Sequence, residues 1–187
     1  MQPILRATMV LATMTITAAT AQTPAPPQPC AQPETRQFDF WIGDWDVFLP
    51  DGKLAGTNRI APIYGCVLHE SWKAVRTFEG QSFNRYDTAR GVWHQTWVDS
   101  SGTLLVIEGG MKDGAMVMSD ATTPGRKADA PVNEISWTRQ ADGSVRQLWR
   151  TSKDGGKTWA TAFDGKYVRS NRDPLPGPLP GERERSN

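Results

Sequence analysis

Apolar residues recur at a period of two in ten short runs of this 187-residue chain, and no segment reads as a long helix. The runs are Trp45–Leu49, Lys53–Ile63, Val67–Arg76, Gly80–Tyr86, Val92–Val98, Thr103–Gly109, Met116–Asp120, Glu134–Arg139, Ser144–Thr151 and Thr158–Arg169. Turn chemistry separates them, as at Pro50-Asp51-Gly52, Lys112-Asp113-Gly114, Ala141-Asp142-Gly143 and Asp154-Gly155-Gly156. Connections this short join antiparallel neighbours. The pattern therefore predicts an all-β meander of about ten strands, closed as an up-and-down barrel or folded as a sandwich. Closure is favoured because it removes the edge strands that a small sheet must otherwise protect. The polar segment 121–133 is the longest expected loop, and Gly56 marks a bulge or a close approach.

The flanks have a different composition. Residues 1–21 have a positive start at Arg6, a mostly apolar run from Ala7 to Ala19, and small residues at Ala19-Thr20-Ala21. They read as a signal peptide cleaved before Gln22, and the apolar run is too short to span a membrane. The expected product is exported, to the periplasm or beyond. Residues 22–33 hold five prolines and no hydrophobic period, and so read as a linker. Residues 170–187, rich in Pro, Gly and charge, are expected to be disordered. One domain is left, at 34–169.

Export makes Cys30 and Cys66 interpretable, because an even cysteine count in an oxidising compartment usually means a disulfide. Pro27-Gln28-Pro29 lacks the small and aliphatic residues that lipid attachment at Cys30 would need. Two lone cysteines also make a poor metal site. A net charge of +1, without a basic stripe, argues against nucleic acid as a partner.

Three runs repeat one arrangement: Glu70-Ser71-Trp72, Gln95-Thr96-Trp97 and Gln147-Leu148-Trp149. Residues i and i+2 share a strand face, so each run sets a long polar side chain beside a Trp. Trp93 extends the second set to Trp-Gln-Trp. Such an interior is either a ligand cavity or a buried hydrogen-bond network with trapped water. In the network case Glu70, Gln95 and Gln147 would satisfy one another and the indole N–H groups. Glu70 is the sharpest case, since a buried carboxylate needs a cation, a donor cluster or a raised pKa. Arg85 is a candidate partner for it; Arg146, also considered, should face the other way.

The two histidines, His69 and His94, fall one residue off this face and should point outward. No Gly-x-Ser-x-Gly elbow is present, so no hydrolase triad is predicted. No catalytic constellation is recognisable beyond Glu70 as a lone acid or base, and no metal or cofactor is implied. Ser152 to Trp159 matches the Asp-box pattern Ser-x-Asp-x-Gly-x-Thr-Trp once. It predicts a tight structural hairpin around Asp154, with Trp159 packed beneath it.

Phe38-Asp39-Phe40-Trp41-Ile42-Gly43-Asp44-Trp45-Asp46-Val47 opens the patterned region. It reads as a helical turn that plugs one barrel end and runs into the first strand. Its Gly43-x-Trp45 resembles the first-strand signature of calycins, the lipocalins and their relatives. That resemblance implies a basic side chain from the last strand over Trp45, with Arg169 or Lys166 as candidates. Taken with Gly65 to Trp72, Trp93 to Asp99, Val145 to Trp149, Asp154 to Trp159 and Phe163 to Tyr167, the chain resembles the DUF1579-type family of exported bacterial proteins over roughly residues 34–169. The family implies a lipocalin-like barrel and no established activity. Haem binding does not carry over from nitrobindin relatives, because neither histidine falls on a matching motif. The expected partner is a small hydrophobic or amphipathic molecule, held by Glu70, Trp72, Gln95, Trp97, Gln147 and Trp149. The alternatives are an enzyme using Glu70 and a non-catalytic envelope protein with a filled core.

Overall fold

A computed structural model of the chain describes residues 30–171. The expected signal peptide, most of the linker and nearly all of the tail lie outside the described residues. The fold is a closed antiparallel barrel of ten strands. They are β1 (Gly43–Phe48), β2 (Leu54–Ile63), β3 (Val67–Ala74), β4 (Glu79–Asp87), β5 (Val92–Asp99), β6 (Leu104–Lys112), β7 (Ala115–Ser119), β8 (Val132–Arg139), β9 (Val145–Ser152) and β10 (Ala160–Arg169). Each strand pairs with its sequence neighbours, and β1 closes on β10 through Trp45 opposite Arg169 and Val47 opposite Tyr167. The up-and-down barrel expected from the turn spacing is the one that forms.

Period-two burial carries straight into this wall. On β4, Gly80, Ser82 and Asn84 are buried, while Gln81, Phe83 and Arg85 are exposed. On β2, Gly56, Asn58 and Ile60 are buried. Gly56 is the expected irregularity: the register slips so that Val47 faces Gly56 and Phe48 faces Leu54. A Cβ on Gly56 would also overlap the Lys73 carbonyl, which only glycine avoids.

Strand direction defines two barrel ends. At the first lie the start of β1, the β2–β3 turn and two 3-10 turns, Pro33–Arg36 and Asp39–Trp41. Here Phe38 and Trp41 enter the barrel and are fully buried, as the sequence led us to expect for this segment. Their rings stack with centroids 4.8 Å apart, and Phe38 meets Trp93 and Trp137 edge-on at 5.6 and 5.2 Å. The indole N–H groups of Trp41 and Trp137 are buried without hydrogen-bond partners. An unpaired N–H costs about 1–3 kcal/mol. Burying a ring of this size contributes about 4–6 kcal/mol before entropy, so packing wins and this end is filled.

The barrel is locked beside this plug. The Arg169 guanidinium lies 4.0 Å from the centroid of the Trp45 ring and donates to the Ile42 carbonyl at 2.7 Å. Gly43 permits this twice over. Its φ of +143° suits glycine alone, and a Cβ there would overlap Arg169 Nη1. Of the two candidate cations, Arg169 therefore takes the role; Lys166 pairs with Asp142 at 2.9 Å instead.

Cys30 and Cys66 form a disulfide that ties residues 30–33 to the β2–β3 turn. The tether begins the packed unit a few residues before the expected boundary at 34. A structural disulfide is the chemistry of an oxidising compartment. Cross-linking residues this far apart should contribute about 2–4 kcal/mol. Reduction, or the double change Cys30→Ser and Cys66→Ser, should lower the guanidinium midpoint accordingly; an unchanged midpoint would show that packing alone holds the plug.

Candidate functional site

The interior polar side chains join in one chain of hydrogen bonds around the barrel wall. Gln95 Nε2 on β5 donates to Asn84 Oδ1 on β4 at 2.6 Å. Asn84 Nδ2 donates to Ser82 Oγ at 2.8 Å and to the Leu68 carbonyl at 3.2 Å. Ser82 Oγ donates to Glu70 Oε2 on β3 at 2.6 Å. Asn58 Nδ2 on β2 donates to Glu70 Oε1 at 2.6 Å and to the Tyr167 hydroxyl on β10 at 3.3 Å. The Tyr167 hydroxyl donates to Gln147 Oε1 on β9. Glu70, Gln95 and Gln147 thus belong to one belt, joined through four intermediaries rather than by direct contact.

Glu70 sits at the middle of the belt and is 4% exposed. Among the described residues it makes no salt bridge. Neither Arg85 nor Arg146 reaches it: Arg85 is exposed, and Arg146 faces outward to Asp164 at 2.6 Å. Burial pushes the Glu70 carboxyl up to about 7, against the opposing donations from Ser82 and Asn58. Asn58 Oδ1, beside it, is buried and has no partner. Tyr167 is held well above the ordinary phenol range by burial and by the Glu70 charge, so its hydroxyl remains a neutral donor.

The three predicted Trp residues occupy a different level. Trp72, Trp97 and Trp149 all lie toward the second barrel end, where β3, β5 and β9 finish, and Phe163 joins them from the start of β10. All four are partly buried against the core, and we term this aromatic end the mouth. Trp72 meets Phe163 edge-on at 6.1 Å. Glycines make room for the rings: a Cβ on Gly80 would overlap Trp97, and one on Gly165 would come within 2.6 Å of Phe163. On β9, Gln147 and Leu148 are partly exposed as well.

The indole groups bond to the rim rather than to the belt. Trp97 Nε1 donates to Asp99 Oδ2 and Trp149 Nε1 to Asn133 Oδ1, each at 2.9 Å. Mutual satisfaction of Glu/Gln and Trp, one of the two expectations, therefore fails for these two indoles. Asn133 is itself clamped by Asp120, whose carboxylate accepts its backbone and side-chain N–H groups at 2.7 Å each. The long 120–131 connection is thereby fixed to the wall beside the mouth.

The remaining sequence candidates are structural or external. His69 faces outward, bonded to Gln81 at 2.8 Å and stacked on Phe83, and His94 bonds Glu108 and Thr96 on the outer wall. Asp154 accepts from Ser152 Oγ and from the Lys157 and Thr158 backbone, and Trp159 Nε1 caps the Gly156 carbonyl at 3.0 Å. The motif is the expected hairpin between β9 and β10. Among the described residues, no group of three or more His, Cys, Asp or Glu could hold a metal. No helix there is long and apolar enough to cross a membrane. A concavity of about 700 Å³ lies elsewhere, over β1 to β5, lined mostly by outward residues such as Arg59, Ser71, Gln81 and Phe83. Of the six predicted ligand residues only Trp72 borders it, together with the inward-facing Trp45, Asn58 and Gly80.

Asn58, Ser82, Asn84 and Tyr167 were not predicted, although a signal existed. Asn58 alternates in phase with Gly56 and Ile60, and Ser82 and Asn84 with Gly80, which marks each as inward. No family model and no curated protein matches the chain.

An acid with a raised folded pKa binds its proton more tightly when folded than when unfolded. The stability this gives is complete below the unfolded value, near 4.5, and is lost as pH rises through about 7. The wild type should therefore lose roughly 3 kcal/mol relative to Glu70→Gln between pH 4.5 and 8. Denaturant melts across that window test this, and parallel profiles for the two proteins would refute it.

Proposed function

We propose that the protein is a calyx for a small, partly apolar molecule that enters between Trp72, Trp97, Trp149 and Phe163 and presents a polar group to the Glu70 belt. The observation that carries this reading is the division of the interior. One end is packed solid by Phe38 and Trp41, while the other leaves four aromatic rings partly open to solvent. A barrel built only to be stable gains by burying such rings, since each would contribute about 1–2 kcal/mol more on full burial. Aromatic walls with a few fixed polar groups at their base are the composition of ligand sites. We further propose that the molecule works after export, in keeping with the disulfide and the signal-like residues 1–21. Membership of the DUF1579-type family, which rests on the motifs quoted above, is part of the same proposal.

One observation favours a second reading. A carboxyl near 7 is poised for proton transfer at neutral pH, so Glu70 has the chemistry of a general acid or base. Both of its oxygens already accept a short hydrogen bond from the belt, and no other catalytic group stands beside it. Ligand binding is the better-supported use.

The test is intrinsic Trp emission during titration with single-chain lipids, aromatic compounds and haem. At least one class should shift the emission, and Trp97→Ala should weaken that binding by about tenfold, the worth of one stacked aromatic contact. If no compound perturbs emission and Gln95→Leu raises stability, the polar belt is structural and the calyx reading is lost.

A further inference from the structure

The calyx reading leaves the ligand class open, and the belt narrows it. Glu70 is a carboxylate with no cation beside it, and the buried Asn58 Oδ1, next to it in the belt, is an acceptor with no donor. Nothing else that faces this point compensates negative charge. Asn58 and Ser82 contribute one hydrogen each, and Tyr167, the other titratable group in the belt, is occupied by Asn58 and Gln147. Arg59, Lys73 and Arg85 sit at positions out of phase with the interior, and Arg169, in phase with Tyr167, is held over Trp45 and on the Ile42 carbonyl instead. The belt's centre is thus rich in acceptors and short of both hydrogens and positive charge. An isolated buried carboxylate is costly, and a matching cation with N–H groups offsets that cost.

The residues between this point and the mouth have a matching character. Trp72 lies two residues from Glu70 on the same strand face, about 7 Å nearer the mouth. Trp97 stands on β5 opposite Ser82. Indole faces attract organic cations while accepting an apolar chain, so the same walls suit both parts of such a ligand.

Building on the calyx reading, we infer that the ligand is a primary or secondary organic amine, bound as its ammonium with N–H groups shared by Glu70 and Asn58 Oδ1 and with its apolar part against Trp72 and Trp97. A quaternary ammonium lacks the N–H that Asn58 requires. A carboxylate would set like charge against Glu70, and an alcohol brings one hydrogen and no charge.

The experiment compares n-hexylamine, n-hexanol and n-hexanoate by Trp emission at pH 8, where Glu70 is largely ionised and the amine is still protonated. The amine should bind at least about tenfold more tightly than the alcohol, and the carboxylate more weakly than either. In Glu70→Gln the amine should lose its tenfold advantage over the alcohol. The comparison within the wild-type protein does not depend on the variant folding. Equal binding of amine and alcohol, or amine binding that survives Glu70→Gln, overturns the amine assignment and leaves the calyx standing. If none of the three binds but longer lipids or aromatic compounds do, the amine assignment alone fails. If nothing binds, both readings fail.

Discussion

The closure of β1 on β10 is the interaction on which the rest of the structure depends. Without it the wall is an open sheet with two edges, and neither the plug nor the belt has a container. Four residues reinforce the backbone ladder at the seam. Gly43 adopts a backbone angle that other residues avoid, the space beside its Cα admits the Arg169 guanidinium, and that group covers Trp45 while bonding the Ile42 carbonyl. Cation–π contact of this kind contributes roughly 0.5–2 kcal/mol, which is modest. Its importance is positional, because it fixes the two terminal strands in register where Tyr167 must reach both Asn58 and Gln147.

Given a closed wall, the interior divides by chemistry. The plug end is aromatic and dry enough to strand two indole N–H groups, and large-area burial outweighs that cost. The belt is polar and almost fully satisfied, with Asn58 Oδ1 the exception. The mouth is aromatic again, yet its rings turn their N–H groups to Asp99 and Asn133 at the rim. This arrangement keeps the faces of Trp97 and Trp149 free of the belt. It also separates two roles that the repeated Glu/Gln-x-Trp spacing presents as one: the polar member anchors the belt and the aromatic member shapes the mouth.

Much of this was legible in the sequence, for identifiable reasons. Strand number and order follow from period-two runs and short turns, since connections of a few residues leave antiparallel neighbours little freedom. The outward histidines, the Gly56 irregularity, the Asp-box hairpin and the Cys30–Cys66 bridge follow from local parity, turn chemistry and cysteine count. The belt was only half legible. Long side chains such as Glu70 and Gln147 stand out in an apolar strand, whereas Ser82 and Asn84 are common on solvent faces and declare themselves only through phase. Cross-barrel pairing was not legible at all. Nothing local says that Asn58 and Tyr167 meet, because they lie on the two strands that flank β1 and come together only when the barrel closes.

The seam also sets the order in which the molecule can be assembled. Ile42 and Arg169 are 127 residues apart, so the pairing that closes the wall waits for nearly the whole domain. Until β10 arrives, β1 offers an unpaired strand edge, and Trp41 lacks Tyr167 to pack against. Non-local pairing of this kind slows folding into the millisecond-to-second range and leaves sticky edges on show meanwhile. A nascent chain of this design is therefore vulnerable for most of its synthesis and becomes safe in a single late step.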